Sequence, residues 1–348
     1  MAVGTDLERR RFGSGGPTLA QTGEAALLRL LSEMARAIPS PGLAQPAGDD
    51  GAVWEAPPAT DVVLSQDALV EGKDFERPWI TPWQLGRRAL NVALSDLAGM
   101  GARPAWCTAT LCAAGDTQIE DIAEIQAGLC EAAIEVGCAV AGGDVSDIDG
   151  PLVIDIAVGG TVPHGAWLRR DQGEPGQAIV VTGSVGAAAA GLRVARGEAV
   201  KARADDRRRW LDAFLDPKPR LAEGAELLER GVRCAGDVSD GLLVDVARTA
   251  AAAGCGAELW LNAVPRDPAL RDSFGDAWPQ LALGGGEDFE LVAALPARAA
   301  GLLARAWPGF LAPLTVVGRL VAEPGVRLLD RRGGRELPQP AVASRHFA

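Results

Sequence analysis

Six times along this 348-residue chain, a glycine or other small residue meets a carboxylate at the expected mouth of a strand or helix. The segments are Gly48-Asp49-Asp50-Gly51, Ser65-Gln66-Asp67, Ser95-Asp96, Gly142-Gly143-Asp144, Gly236-Asp237-Val238-Ser239-Asp240-Gly241 and Gly284-Gly285-Gly286-Glu287-Asp288. Asp and Gly are ordinary turn residues, so any one segment means only a turn. Six of them, in a chain with two His and no Tyr, narrow the chemistry sharply. Carboxylates massed in one place repel and need cations. Oxygen donors select hard ions, Mg²⁺ before zinc or copper. Mg²⁺ bridges a few carboxylates to substrate phosphates, and glycines beside the acids let backbone approach those phosphates closely.

Composition removes most other classes. The net charge is −12, which disfavours a nucleic-acid binder. No apolar run reaches the length of a membrane span. The N-terminus, with Leu7 to Phe12 reading LERRRF, lacks the apolar stretch of a secretory signal. The six Cys include no C-x-x-C pair and read as buried thiols of a cytoplasmic protein. With only His164 and His346, neither a Ser-His-Asp relay nor a His-rich metal centre is expected. There is no P-loop, EF-hand or protein-kinase triplet. Gly183 to Gly186 is too short for a dinucleotide loop and reads as a strand–helix turn.

Periodicity predicts helices at 24–38, 83–100, 119–136, 187–195, 221–230 and 242–253, and strands at 62–65, 105–112, 152–158, 178–182, 257–261, 290–295 and 314–317. The tail after Pro324 reads mostly as loop. The order of elements predicts an α/β (or α+β) protein. A Gly-, Pro- and charge-rich stretch, 159–176, separates two expected domains, 22–165 for ATP, Mg²⁺ and dimerisation and 166–348 as a C-terminal α/β domain. Asp96 falls inside the long helix, among Val92, Ala93, Leu94, Leu97 and Ala98, where a carboxylate needs a partner or a metal.

In order along the chain, GDDGAV, SQDALVEG, NVALSDLAGMGARP, AGGDV, VTGSVGAAAAGL, GDVSDGLLVD and GGGEDFEL resemble the thiamine-monophosphate kinases. These belong to the superfamily of aminoimidazole ribonucleotide synthetase and selenophosphate synthetase. The resemblance spans roughly residues 24 to 295 and implies transfer of the ATP γ-phosphoryl group to thiamine phosphate, giving thiamine diphosphate. It implies several Mg²⁺ ions held by Asp50, Ser65, Gln66, Asp67, Asp96, Asp144, Asp237 and Asp240, and ATP held by Gly143, Asp144, Arg170 and Ser239. Glu287 matches a residue facing the acceptor. The implied fold is a ferredoxin-like N-terminal domain, whose sheet joins a second protomer's into a barrel, followed by a C-terminal domain of the synthetase type. A homodimer follows, with small-molecule partners and no nucleic acid or membrane.

The pattern departs from the family on the acceptor side. Asp74 stands where a His is typical, and Ser344 where an aromatic usually stacks. Gln66 replaces a Thr, Ala187 replaces a frequent Asp, and acids Asp147 and Asp149 follow Asp144. Three readings therefore stand: a thiamine-phosphate kinase; a paralogue acting on another phosphomonoester, such as an aminomethyl-heteroaryl phosphate paired with Asp74; or a nucleotide-binding scaffold. The intact carboxylates argue for an enzyme. No general base is required, because the acceptor phosphate is already anionic at neutral pH.

Overall fold

The computed structural model describes residues 10–46 and 48–342. The chain divides into two compact units. One takes residues up to Leu94 together with Pro104–Thr161; the other takes Ser95–Arg103 and Val162 onward.

The first unit contains α1 (Leu19–Thr22), α2 (Glu24–Arg36), β1 (Leu43–Gln45), β2 (Val53–Trp54), β3 (Thr60–Val70), most of α3 (Pro82–Gly99), β4 (Arg103–Ala113), α4 (Ile119–Val136), β5 (Ala139–Asp147) and β6 (Val153–Pro163). β1 and β2 form a small antiparallel ribbon. The other four strands make one sheet in the order β3-β6-β4-β5, with β4 and β5 parallel. A ferredoxin-like domain runs β-α-β-β-α-β. Here the elements from β3 run β-α-β-α-β-β, so the expected ferredoxin-like order is not the observed one. Two-residue alternation gives the sheet a packed face, where Ile154, Ile156 and Val158 of β6 are buried. On β3 the alternate residues Val62, Leu64, Gln66 and Ala68 are exposed, Leu64 by 66%.

The second unit contains β7 (Ala178–Thr182), α5 (Ala187–Ala195), α6 (Ala204–Leu215), α7 (Leu221–Glu229), β8 (Cys234–Val238), α8 (Leu242–Ala252), β9 (Gly256–Trp260), α9 (Ala269–Phe274), α10 (Trp278–Gly284), β10 (Glu290–Leu295), α11 (Ala297–Arg305), β11 (Leu314–Val321), β12 (Gly325–Leu329) and β13 (Glu336–Leu337). They build a seven-stranded mixed sheet, β13-β12-β9-β11-β7-β10-β8. β7, β8, β9 and β10 are buried along their whole length, because both faces are covered. Ile179, Val181, Val292 and Ala294 join a core with Leu242 and Val246 of α8. Their neighbours Val180, Leu291, Ala293 and Leu295 join another with Leu227 of α7 and Leu303 of α11. Each fully buried Val or Leu contributes about 1.5–3 kcal/mol. A third cluster sets Trp210 of α6 against Ala190, Leu270 and Leu281.

Three expectations need correction or addition. The tail beyond Pro324 is mostly loop, as read, but it also carries two short strands that were not expected: β12 pairs parallel with β9, and β13 pairs with β12. Ser65-Gln66-Asp67 and Gly142-Gly143-Asp144 are not loops either; they lie inside β3 and β5. Helices α6, α9, α10 and α11 also form where no periodic signal was read.

Candidate active site

A cavity of 940 Å³ lies in the first unit. Leu28, Leu31, Trp54, Trp106, Ile125 and Leu129 give it an apolar lining. Asp49, Asp50, Gly142, Gly143 and Asp144 line it as well, so two of the expected metal residues and the expected nucleotide glycine share one space. Asp50 and Asp144 are exposed. The two glycines have different reasons to be there. A Cβ on Gly143 would stand 1.9 Å from the Ala109 carbonyl oxygen, so the pairing of β5 with β4 itself demands glycine. A Cβ on Gly142 would meet no protein atom within 4 Å, so its backbone is bare beside the cavity without any packing need.

On β3, the period of two places Ser65 and Asp67 on one face and Gln66 on the other. There the Gln66 amide donates to Asp155 Oδ2 of β6. The three side chains therefore cannot act as one donor set, and Gln66 is already a cross-strand partner. Asp74, expected beside the acceptor, closes the turn after β3: Val70 N–H donates to its Oδ2 at 2.8 Å.

Asp237 is buried near the end of β8, and its carboxylate accepts from Ser95 Oγ at 3.0 Å and from Arg170 Nη2 at 3.2 Å. Gly236 makes room for this arginine, since a Cβ there would stand 2.7 Å from Arg170 Nε. Burial, and after it the charge of Asp96, pushes the Asp237 carboxyl above the ordinary range. Asp240 follows in the turn before α8, and its N–H donates to Asp245 Oδ2 at 2.9 Å. The Arg248 guanidinium contacts both Asp240 and Asp245. Asp245 is pushed up to about 7 by burial, then by the charges of Asp237 and Asp240.

Glu287 lies in the loop entering β10, and its N–H donates to the Ser239 carbonyl at 2.7 Å. That bond ties the expected acceptor residue to the turn holding Ser239 and Asp240. Ser344 lies outside the described residues.

The structure thus brings Asp50, Gly143 and Asp144 to one cavity of the first unit and sets Asp96, Asp237 and Asp240 near one another in the second, whereas Ser65 and Asp67 lie on β3, at the sheet edge opposite β5, and Asp74 in the turn after it. Among the described residues, no three His, Cys, Asp or Glu side chains stand close enough to hold a metal ion by themselves. The donor chemistry still suits Mg²⁺, which takes one or two carboxylates and completes its shell with water and substrate phosphates. Asp237 supports this fit: a buried carboxyl beside Asp96, with arginine as its cationic neighbour, gains from added positive charge. Sequence reasoning missed Asp245 and Asp288. Both stand in quoted motifs, Asp245 five residues after Asp240, and that spacing at a helix start was the available signal.

Among the described residues no helix is long and apolar enough to cross a membrane. Residues 48–162 match the family model "AIR synthase related protein, N-terminal domain", and residues 174–331 match "AIR synthase related protein, C-terminal domain". The chain is 35% identical over 280 residues to the thiamine-monophosphate kinase of Salmonella typhimurium, covering 79% of this chain and 84% of the relative. A crystal structure of thiamine-monophosphate kinase from Stenotrophomonas maltophilia K279a superposes with a TM-score of 0.76 at 32% identity, covering 86% of this chain and 95% of that one. A structure described as "AaThiL complexed with AMPPCP and TMP" has a TM-score of 0.71 at 24% identity, covering 94% and 98%; this is a likeness of fold.

Proposed function

The chain belongs to the thiamine-monophosphate kinase family, within the AIR synthase related proteins, and from that membership we infer that it transfers the γ-phosphoryl group of ATP to thiamine phosphate, forming thiamine diphosphate. One observation carries this reading: identity to a kinase of that name extends over 79% of the chain.

The residues divide the work. The cavity of the first unit takes ATP, with its apolar lining toward the base and Gly143 and Asp144 toward the phosphates. Asp50, Asp67 and Asp144 in the first unit and Asp96, Asp237 and Asp240 in the second hold Mg²⁺. When bound, Mg²⁺ neutralises phosphate charge and favours in-line displacement. Arg170 is 44% exposed at its side chain, so its guanidinium meets solvent while it rests on Asp237; it offsets charge on the donor phosphates. Ser239 adds a hydroxyl donor, and Glu287 faces the acceptor. The acceptor's second pKa is near 6, so it arrives as an anion and needs no base. The task is to bring two polyanions together, by positioning and electrostatics.

The paralogue reading relied on Asp74 pairing with an amine. That carboxylate accepts the Val70 N–H at Oδ2, a role in the turn that accounts for an acid at this position without an amine-bearing acceptor. A homodimer agrees with the exposed apolar residues Val62 and Leu64 on β3, which a second protomer's sheet would cover in a barrel. A cytoplasmic location agrees with six cysteines that are all free thiols.

A coupled assay of ADP release tests the activity. Release stimulated by thiamine phosphate is the expected result. Stimulation only by another phosphomonoester would return the paralogue, and nucleotide binding without turnover would leave a scaffold.

A further inference from the structure

The loop between α10 and β10 is fixed more tightly than an acceptor contact requires. Among the described residues only three non-glycine residues have a left-handed backbone, and two are in this loop: Glu287 at φ 63° and Phe289 at φ 49°. A side chain rarely accepts that conformation unless its surroundings impose it. The imposing contacts can be named. Glu287 N–H donates to the Ser239 carbonyl at 2.7 Å, and Phe289 N–H to the Val238 carbonyl at 2.9 Å. Between them, the Asp288 carboxyl group reaches the start of α5, accepting from Gly186 N–H at 2.7 Å and Ala188 N–H at 3.3 Å. Next along the chain, Glu290 is held by both arms of Arg220 at 2.7 Å and by Thr182 Oγ1 at 2.7 Å.

We infer that Asp288 is a positioning residue for the acceptor: its carboxyl group pins the strained loop to α5 and so sets where Glu287 points. The inference rests on the reading that Glu287 faces thiamine phosphate. Asp288 caps from a distance of about a hundred residues in sequence, at a helix whose own N-cap, Gly186, has no side chain to do so. A cap drawn from the adjacent chain would stabilise the helix equally. This one also fixes the residues on either side of itself. With the carboxyl group gone, the two left-handed residues lose their shared anchor, and the loop relaxes toward ordinary backbone. Glu287 would then swing while the cavity residues of the first unit keep their places.

Steady-state kinetics of Asp288→Ala and Asp288→Asn, with Glu287→Gln alongside and folding checked by thermal melting, tests this. The expected result for Asp288→Ala is a KM for thiamine phosphate raised about tenfold or more, with a clearly smaller rise in the KM for ATP, whose contact Ser239 borders the same loop. Asp288→Asn keeps one acceptor for the shorter Gly186 bond and should recover part of the loss. If Asp288→Ala does not fold, Asp288→Asn is judged by the same split. A folded variant with an unchanged KM for thiamine phosphate, or one in which both KM values move together, overturns the inference. Should Glu287→Gln raise that KM while both Asp288 variants leave it alone, only the inference fails. Should Glu287→Gln leave it unchanged, the acceptor reading itself fails.

Discussion

The acids of the first unit and those of the second live under opposite conditions. Asp50 and Asp144 are exposed beside a cavity. Asp237 and Asp245 are buried and pushed up first by burial, then by a neighbouring acid, Asp96 for Asp237 and Asp237 for Asp245, and they are partnered with Arg170 and Arg248. A hydrated carboxylate can wait for a cation at little cost to folding. A buried one is a standing liability that arginine, a metal or a proton must offset. The same residue type therefore reports on ligands in one unit and on ligands and stability together in the other.

The sharpest way to break this contrast is to neutralise the buried acid. Asp237→Asn should cut kcat on the order of a hundredfold or more. It should also raise the melting temperature of the nucleotide-free protein at pH well above the ordinary carboxylate range, because a costly buried charge is gone. Asp144→Asn should weaken ATP use about tenfold to a hundredfold, seen in kcat/KM. Its melting temperature should stay within about 1 °C of the parent, since an exposed acid contributes little to folding. If the two variants change stability alike, the contrast between the units is wrong.

Asp288 sharpens the point through pH. Burial pushes its carboxyl up to about 8, against the pull of the Gly186 and Ala188 N–H groups. The ordinary value in an unfolded chain is about 3.9. Between those values the folded protein holds a proton that the unfolded chain has released, so stability is fully present below about 4 and falls as pH rises through about 8. Melting curves from pH 5 to 9 should decline, and Asp288→Asn should show a shallower slope over that range. The smallest effect is expected at the exposed face of β3. Leu64→Asp should shift the protein toward monomer in analytical ultracentrifugation, with the monomer's melting temperature near the parent's.

Much of this was legible in the sequence, and the reasons differ by element. Strands 178–182 and 290–295 and helices 119–136 and 187–195 were read to the residue, because each is a dense run of apolar or helix-forming residues between clear breakers. β5 was read as a turn because Gly142, Gly143 and Asp144 are turn residues locally. Pairing with β4 overrode that propensity, and the close Ala109 carbonyl is what makes Gly143 a strand residue. α6 was missed because Asp205, Asp206 and three consecutive arginines mask its buried stripe of Trp210, Phe214 and Leu215. The chemistry of the acids was visible as a pattern, but the work of Asp288 was not. Its partners are backbone N–H groups some hundred residues away, which no residue type announces.

The central claim is that phosphate is joined to phosphate at this site. Incubation of the purified protein with ATP, Mg²⁺ and thiamine phosphate, followed by ³¹P NMR, tests it most directly. The account predicts two coupled phosphorus signals from thiamine diphosphate, growing in step with ADP. A spectrum in which ATP is consumed only to inorganic phosphate, with the thiamine phosphate signal unchanged, would contradict it.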